Sequence, residues 1–423
     1  MQKQDRLSRV VLPSGLRVIV ESVPGARSVS IGVWVEIGSR HDPQGMEGAA
    51  HFVEHLLFKG TRRRTARQIS EELDYVGGSL NAFTAKEHTC LYARVLGEDF
   101  GLAADVLCDM VKHSLFREQD TELERNVILE EINTYEDAPD EVVLDLLESL
   151  IWQEHSMGKP ILGTSSAVSL MKNSDLKEFY AKAYGSRRVV VAAAGNVSAE
   201  RVVDEMGVLL DGLGGGDLPD AVLPVPSTEP RAGTRAKQVE QVHMCLGAVG
   251  LRADDPRQYS LHVLNNILGG GPSSRLFQII REERGLAYSV YSFHSSFKDT
   301  GVFGVYSAAN PEYAASVKQL VMDEMSDIAA KHVSDEELER AKRQLKGSLL
   351  LGLESMSSRM MRLGRSELLV GRVVPVDEVT RKIEAVTHDD VLSLAKELLH
   401  PAGLSLALVG ADPVHTRRIA RGG

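Results

Sequence analysis

Short alternations of apolar and polar residues recur along the chain, from Leu16 to Glu21 and Val29 to Ile37 in the first half and from Gln238 to Val249 in the second. A period of two puts every other side chain on one face of a pleated strand, so these segments predict strands. In both halves they lead into helical patterns, a strand pair and several more helices. Each half then closes on an apolar run ending in glycine and a polar or small residue, Val189 to Asn196 in one and Leu404 to Ala411 in the other, about 215 residues apart. The repetition suggests a duplicated unit. Strands followed by blocks of helices predict an α+β fold of two duplicated domains, each a largely antiparallel sheet packed against helices.

Between the halves, residues 212–234 are rich in Gly and Pro and lose the amphipathic period, which is a linker signal. The expected division is residues 1–211, the linker 212–234, and residues 235–423. A chain of 423 residues exceeds the size at which a single core usually stops growing. Apolar content of 43% and charged content of 25% are those of a soluble globular protein, and no apolar run approaches the eighteen residues of a membrane span. Cys90, Cys108 and Cys245 are far apart and form no Cys-x-x-Cys pair, so they read as buried thiols in a reducing compartment. Met1 to Ser8 carries neither the apolar core of a secretory signal nor an organelle-targeting pattern, and a cytoplasmic location is expected. The formal charge of −11 comes without a long basic run. Nucleic acid is therefore not an expected partner, while the acidic surface suits basic peptides or serves solubility alone.

The chemistry concentrates in His51-Phe52-Val53-Glu54-His55. Residues four apart on a helix are neighbours, so both imidazoles can reach one ion with the Glu54 carboxylate beside them. The order H-x-x-E-H is the inverted zinc-peptidase signature, in which the glutamate is the general base and not a ligand. Setting Leu56 to Gly60 against Ile267 to Gly271 aligns this turn with His262-x-x-Asn265-Asn266. The second copy lacks the base and one ligand, and no zinc is expected there.

A catalytic zinc usually takes a third protein ligand. Glu118 to Asp137 is the best source, with a helical stripe of Leu123, Val127, Ile128, Ile132 and Tyr135. Glu124 and Glu131 fall near the middle of that stripe and Glu130 at its edge. Acids in a buried stripe pair with Arg or Lys, or bind a metal. Beside an H-x-x-E-H turn, Glu131 becomes the candidate third ligand and Glu124, two turns earlier, a hydrogen-bond partner for a ligand histidine.

Here the chain resembles the inverted-motif zinc peptidases that include pitrilysin, insulysin and the catalytic subunit of mitochondrial processing peptidase. Gly48 to Thr61 is similar to the family signature nearly throughout, and Glu131 stands 76 residues after His55, the family spacing for the third ligand. Glu124 also matches a family acid. The resemblance extends over the whole chain, and the length is most like the short bacterial members, which enclose a chamber between two chains. It implies one Zn2+ per chain, peptide substrates and a homodimer.

Gly77-Gly78 opens a strand through Asn81 and Ala82. As an edge strand it would pair with an extended peptide, the use the resemblance implies for Asn81 and Ala82; as an interior strand it would not. Arg281 and Tyr288 have the Arg-x6-Tyr spacing that the resemblance assigns to holding the peptide and the oxyanion, with Arg284 and Tyr291 as neighbouring alternatives. Glu141 and Asp145, four apart after Pro139, correspond to acids that hold an arginine near the scissile bond in the processing peptidase, or form a solvated helix face. Met356 to Met361 reads as core packing and Asp335 to Lys346 as solvated helix. These residues point to a zinc metalloendopeptidase cleaving unfolded peptides or short protein segments, with a basic residue near the cut. The alternative is a non-catalytic or partner-dependent subunit of a processing-peptidase-like complex.

Overall fold

The computed structural model describes residues 7–214, 229–412 and 418–420. Residues 215–228 of the expected linker lie outside the described residues, and residues 232–234, at its end, already open a strand. Eleven strands are described: β1 Leu7–Val11, β2 Arg17–Ser22, β3 Ser28–Val35, β4 Ser79–Thr84, β5 Thr89–Leu96, β6 Val189–Gly195, β7 Ala232–Ala236, β8 Val242–Val249, β9 Ala287–Ser296, β10 Gly301–Ala309 and β11 Ser405–Gly410. They form two sheets, ordered β1-β2-β6-β3-β5-β4 and β7-β11-β8-β10-β9. In the first, only β2 and β6 run parallel. In the second, only β7 and β11 do. Apart from the added β1, the two sheets share one order and one parallel pair, as duplication predicts. The fold is α+β.

The chain forms two compact units. The first takes in the described residues up to Ile132, those from Lys159 to the linker, and Gly352–Val373. Its sheet is apolar on both faces. Val29, Ile31, Val33 and Val35 of β3 and Val189, Val191 and Ala193 of β6 face a core with helices Ala49–Leu57, Phe100–His113 and Asn173–Ala183. The alternate residues Trp34, Val190, Ala192 and Ala194 face Met360, Leu363 and Leu368 of helix Met356–Val370. That helix lies so close that a Cβ on Gly364 would sit 2.2 Å from the Trp34 ring. It is also tied to the sheet by polar bonds. The buried Glu367 carboxylate accepts from Arg9 Nε at 2.9 Å and Nη2 at 2.8 Å, and Arg359 pairs with Glu21.

The second unit takes in Asn133–Gly158, the described residues from the linker to Leu351, and those from Val374 onward. Val242, Met244 and Leu246 of β8 face a core with helices Gln258–Gly269, Pro311–Ala330 and His388–Leu398. Cys245, Tyr306 and Ala407 on the other face meet Val143, Leu147 and Ile151 of helix Pro139–Trp152. Each sheet is therefore closed on one face by several helices and on the other by a single helix drawn from the opposite half of the sequence. Gly247 of β8 permits the close approach, since a Cβ there would stand 2.9 Å from Leu147 Cδ2. The three cysteines are free and buried.

Gly364→Ala forces a methyl group into the Trp34 ring, and overpacking of this kind costs about 1–3 kcal/mol. Gly347→Ala, in helix Asp335–Gly352 with nothing within 4 Å of the added Cβ, should be neutral or stabilising by about 0.5–1 kcal/mol. Urea unfolding of the two variants checks the contrast.

Candidate metal centre

Helix Ala49–Leu57 starts at Gly48, whose φ of 98° is left-handed, a conformation glycine adopts without a Cβ penalty. The Asp42 carboxylate accepts from the Gly48 N–H at 2.7 Å and the Ala50 N–H at 2.8 Å, which satisfies free donors of the first turn. Apolar residues around the motif, Ala49, Ala50, Phe52, Val53, Leu56 and Leu57, are buried. The helix is thus fixed at its start and over most of its surface, and His51, Glu54 and His55 are presented from a rigid support.

His51 Nε2 and His55 Nε2 lie 3.7 and 3.4 Å from Glu131 Oε2. The three potential ligand atoms are within 4.8 Å of one another, and among the described residues no other group of three or more His, Cys, Asp or Glu is gathered in this way. Behind them, His55 Nδ1 bonds Glu124 Oε2 at 3.0 Å, and Glu124 Oε1 pairs with Lys59 Nζ at 2.5 Å. The buried face of helix Glu118–Asp137 is Thr121, Glu124, Ile128 and Ile132. This corrects the expected stripe: Leu123 and Val127 are 64% and 49% exposed, and the Glu131 side chain is 44% exposed. Leu123, Val127 and Glu131 are spaced by four and share one flank of the helix, beside the packed face rather than within it.

The donor set fits a cation. With its Nδ1–H given to Glu124, His55 directs the Nε2 lone pair at a Glu131 oxygen, and two acceptors at that distance repel unless a positive charge lies between them. In the metal-free protein a proton fills the role. Burial opposes charge on His55, but the hydrogen bonds to Glu124 and Glu131 outweigh it and raise the imidazole to about 9. His51 is pushed down to about 4 by burial and by the neighbouring His55 charge, against the attraction of Glu131, and so stays neutral, the form that binds metal. The hydrogen bond from His55 keeps the Glu131 carboxyl below its ordinary value. Two imidazole nitrogens and one carboxylate oxygen suit zinc and leave a coordination position open.

Glu54 is buried beside this group, and its Oε2 accepts from Thr84 Oγ1 at 2.6 Å. Burial lifts the Glu54 carboxyl above its ordinary value, while the Thr84 hydrogen bond and the His55 charge restrain the rise. Thr84 escaped the sequence reading because nothing in a strand pattern announces a hydrogen bond to a residue thirty positions earlier. It ends β4, which carries Asn81 and Ala82 and is an edge strand of the first sheet, paired among the described residues only with β5. The Ala82 N–H donates to the Asn81 side-chain oxygen at 2.8 Å.

In the second unit, Arg281 belongs to a π-helical segment, Phe277–Glu283. Its guanidinium lies between the Phe277 and Tyr288 rings, 4.8 and 4.3 Å from their centroids, and Nη1 donates to the Tyr288 carbonyl at 3.0 Å. Tyr288 is 73% exposed and, with Gly270, Gly271 and Phe277, lines a cavity of about 460 Å³. Tyr291, the alternative, stacks on Tyr306 at 4.9 Å. Glu141 bonds the Tyr135 hydroxyl, and burial together with the charges of Asp145, Glu141 and Glu148 holds that hydroxyl well above its usual range. His262 Nδ1 contacts His294 Nε2 at 3.1 Å.

Residues 17–165 match the family described as insulinase, peptidase family M16, and residues 171–345 match the peptidase M16 inactive domain. An uncharacterized zinc protease of Streptomyces coelicolor is 43% identical over 98% of this chain and 91% of its own length. YmxG of Bacillus subtilis, also named an uncharacterized zinc protease, is 42% identical over 93% of this chain and 95% of its own. A probable mitochondrial-processing peptidase subunit beta of Arabidopsis thaliana is 35% identical over 94% of this chain and 77% of its own. A protease from Helicobacter pylori has the same fold, with a TM-score of 0.91 over 96% of this chain and 99% of its own at 20% identity.

Because the raised His55 is protonated at pH 7, zinc binding there should release about one proton. Zinc affinity should climb as pH rises toward 9, and titration calorimetry in buffers of different ionisation enthalpy reads the proton directly. The same shift stabilises the metal-free protein fully below His55's ordinary value of 6.5 and is lost as pH rises through about 9. Glu124→Gln should weaken zinc binding about 10- to 100-fold.

Proposed function

The chain belongs to the M16 peptidase family, and on that premise we propose that it is a zinc-dependent endopeptidase acting on unfolded peptides. The observation that carries this reading is the convergence of His51, His55 and Glu131 with a buried Glu54 alongside. A zinc ion held by those three residues would supply Lewis acidity toward a peptide carbonyl and make a bound water acidic. Glu54 then takes the proton of the attacking water and returns it to the leaving amine. A carboxyl lifted by burial suits both halves of that exchange.

Among the described residues the outer edge of β4 has no strand partner, and it can receive an extended peptide by strand addition, which gives affinity with little sequence preference. Asn81 would have to release the Ala82 N–H for that pairing. We assign peptide and oxyanion contacts to Arg281 and Tyr288; their support is the family resemblance and the aromatic stacking that pre-orients the guanidinium. Glu141 and Asp145 are assigned to a basic substrate residue on the same resemblance. A homodimer enclosing a chamber, one zinc per chain and a cytoplasmic setting complete the proposal. Among the described residues no helix is long and apolar enough to cross a membrane.

A second reading, a catalytic chain that works only with a different subunit, is favoured by the relative named as a processing-peptidase subunit. Incubating the purified chain with a mixed library of unstructured peptides, with and without chelator, separates the two. Cutting that chelator stops and zinc restores is expected from the chain alone, and Glu54→Gln should keep its zinc and lose nearly all turnover. No cutting by the zinc-loaded chain would favour the partner-dependent reading, and normal cutting by Glu54→Gln would remove Glu54 from the mechanism.

A further inference from the structure

Glu54 has two carboxylate oxygens, and the structure treats them differently. Oε2 is held by the Thr84 hydroxyl at 2.6 Å, the length of a hydrogen bond from O–H to an ionised carboxylate. Among the described residues Oε1 takes part in no hydrogen bond or ion pair. The Thr84 hydroxyl has a single proton and two acceptors within reach, Glu54 and the Thr89 oxygen at 3.3 Å. Thr89 gives its own proton to the Ile37 carbonyl at 2.9 Å, so it does not donate to Thr84. The charged and nearer acceptor wins, and the Thr84 proton goes to Glu54.

Thr84 cannot easily drift from this arrangement. It is the last residue of β4 and pairs in register with the buried Thr89 of β5, and a β-branched side chain on a strand has restricted χ1 freedom. The same strand carries, two and three residues earlier, the Ala82 and Asn81 edge assigned above to the peptide.

We propose that Thr84 is a positioning residue: it holds Glu54 by Oε2, reserves Oε1 for the travelling proton, and fixes the base in register with a peptide paired on β4. The inference rests on the peptidase reading of this site. It predicts that the hydroxyl matters for the chemical step and not for zinc or for peptide affinity.

The test compares the full-length protein with Thr84→Val, which keeps the β-branched shape and removes the donor, and Thr84→Ser, which keeps the donor. Thr84→Val should bind zinc and show a KM like the parent while kcat falls about 10- to 100-fold, and Thr84→Ser should recover most of the loss. A parental kcat in Thr84→Val, or equal losses in the two variants, overturns the proposal, the second because packing and not the hydroxyl would then be responsible. Urea unfolding of the metal-free protein with Thr84→Val, Glu54→Ala and the double substitution gives a readout independent of activity. Non-additive effects are expected and additive ones overturn the hydrogen bond. If the parent alone cuts no peptide while the effects are non-additive, the reading of a self-sufficient peptidase has failed and the Thr84–Glu54 pairing has not.

Discussion

A sheet whose strands are apolar on both faces has to be covered twice, and the rest of this structure follows from how that requirement is met. In the first unit, β3 and β6 leave almost no polar side chain to face water. Several helices cover one side, and helix Met356–Val370 covers the other, close enough that Gly364 has no room for a methyl group. With both faces closed, the sheet exposes only its borders. β4 is one of them, and Glu54 meets that border through Thr84. The candidate chemistry sits where the packing stops.

The charge arrangement around His55 has a comparable economy. Lys59, Glu124, His55 and Glu131 alternate in sign or hydrogen-bonding role, so each group is oriented by the one behind it. Glu124 is buried and tied on both oxygens, which leaves the imidazole a single tautomer when it is neutral. Glu131, by contrast, is half open to solvent, and only its meeting with the histidines gives its position a purpose. The rigid candidate ligands come from one helix turn and the adaptable one from another helix.

Much of this was legible in the chain because it is local. An H-x-x-E-H turn places its side chains by helical geometry alone, and the apolar runs at Val189 and Leu404 became the fully buried strands β6 and β11. The repeated pattern predicted two units of one architecture, while the order of strands within each sheet is known only from the structure. Less local features were hidden. The exposure of Leu123 and Val127 could not be read from periodicity, because a stripe tells which residues share a face and not how much of that face a neighbour covers. The side of each sheet taken by a helix from the opposite half was equally invisible: an amphipathic helix encodes that it needs a partner and not which one. Thr84 belongs to the same class, since its role depends on a hydrogen bond between elements far apart in sequence.

The exchange of helices also sets an order of events during synthesis. Nearly all of the first unit has been made by the time the linker emerges from the ribosome, yet the segment that seals the Trp34 face, Gly352–Val373, is made only after most of the second unit. Domains generally fold from the N-terminus as they are made, and here the nascent first sheet must wait, one apolar face bare, for more than a hundred further residues. That interval is when a chaperone, or a misplaced helix from the second half, has its opportunity to bind.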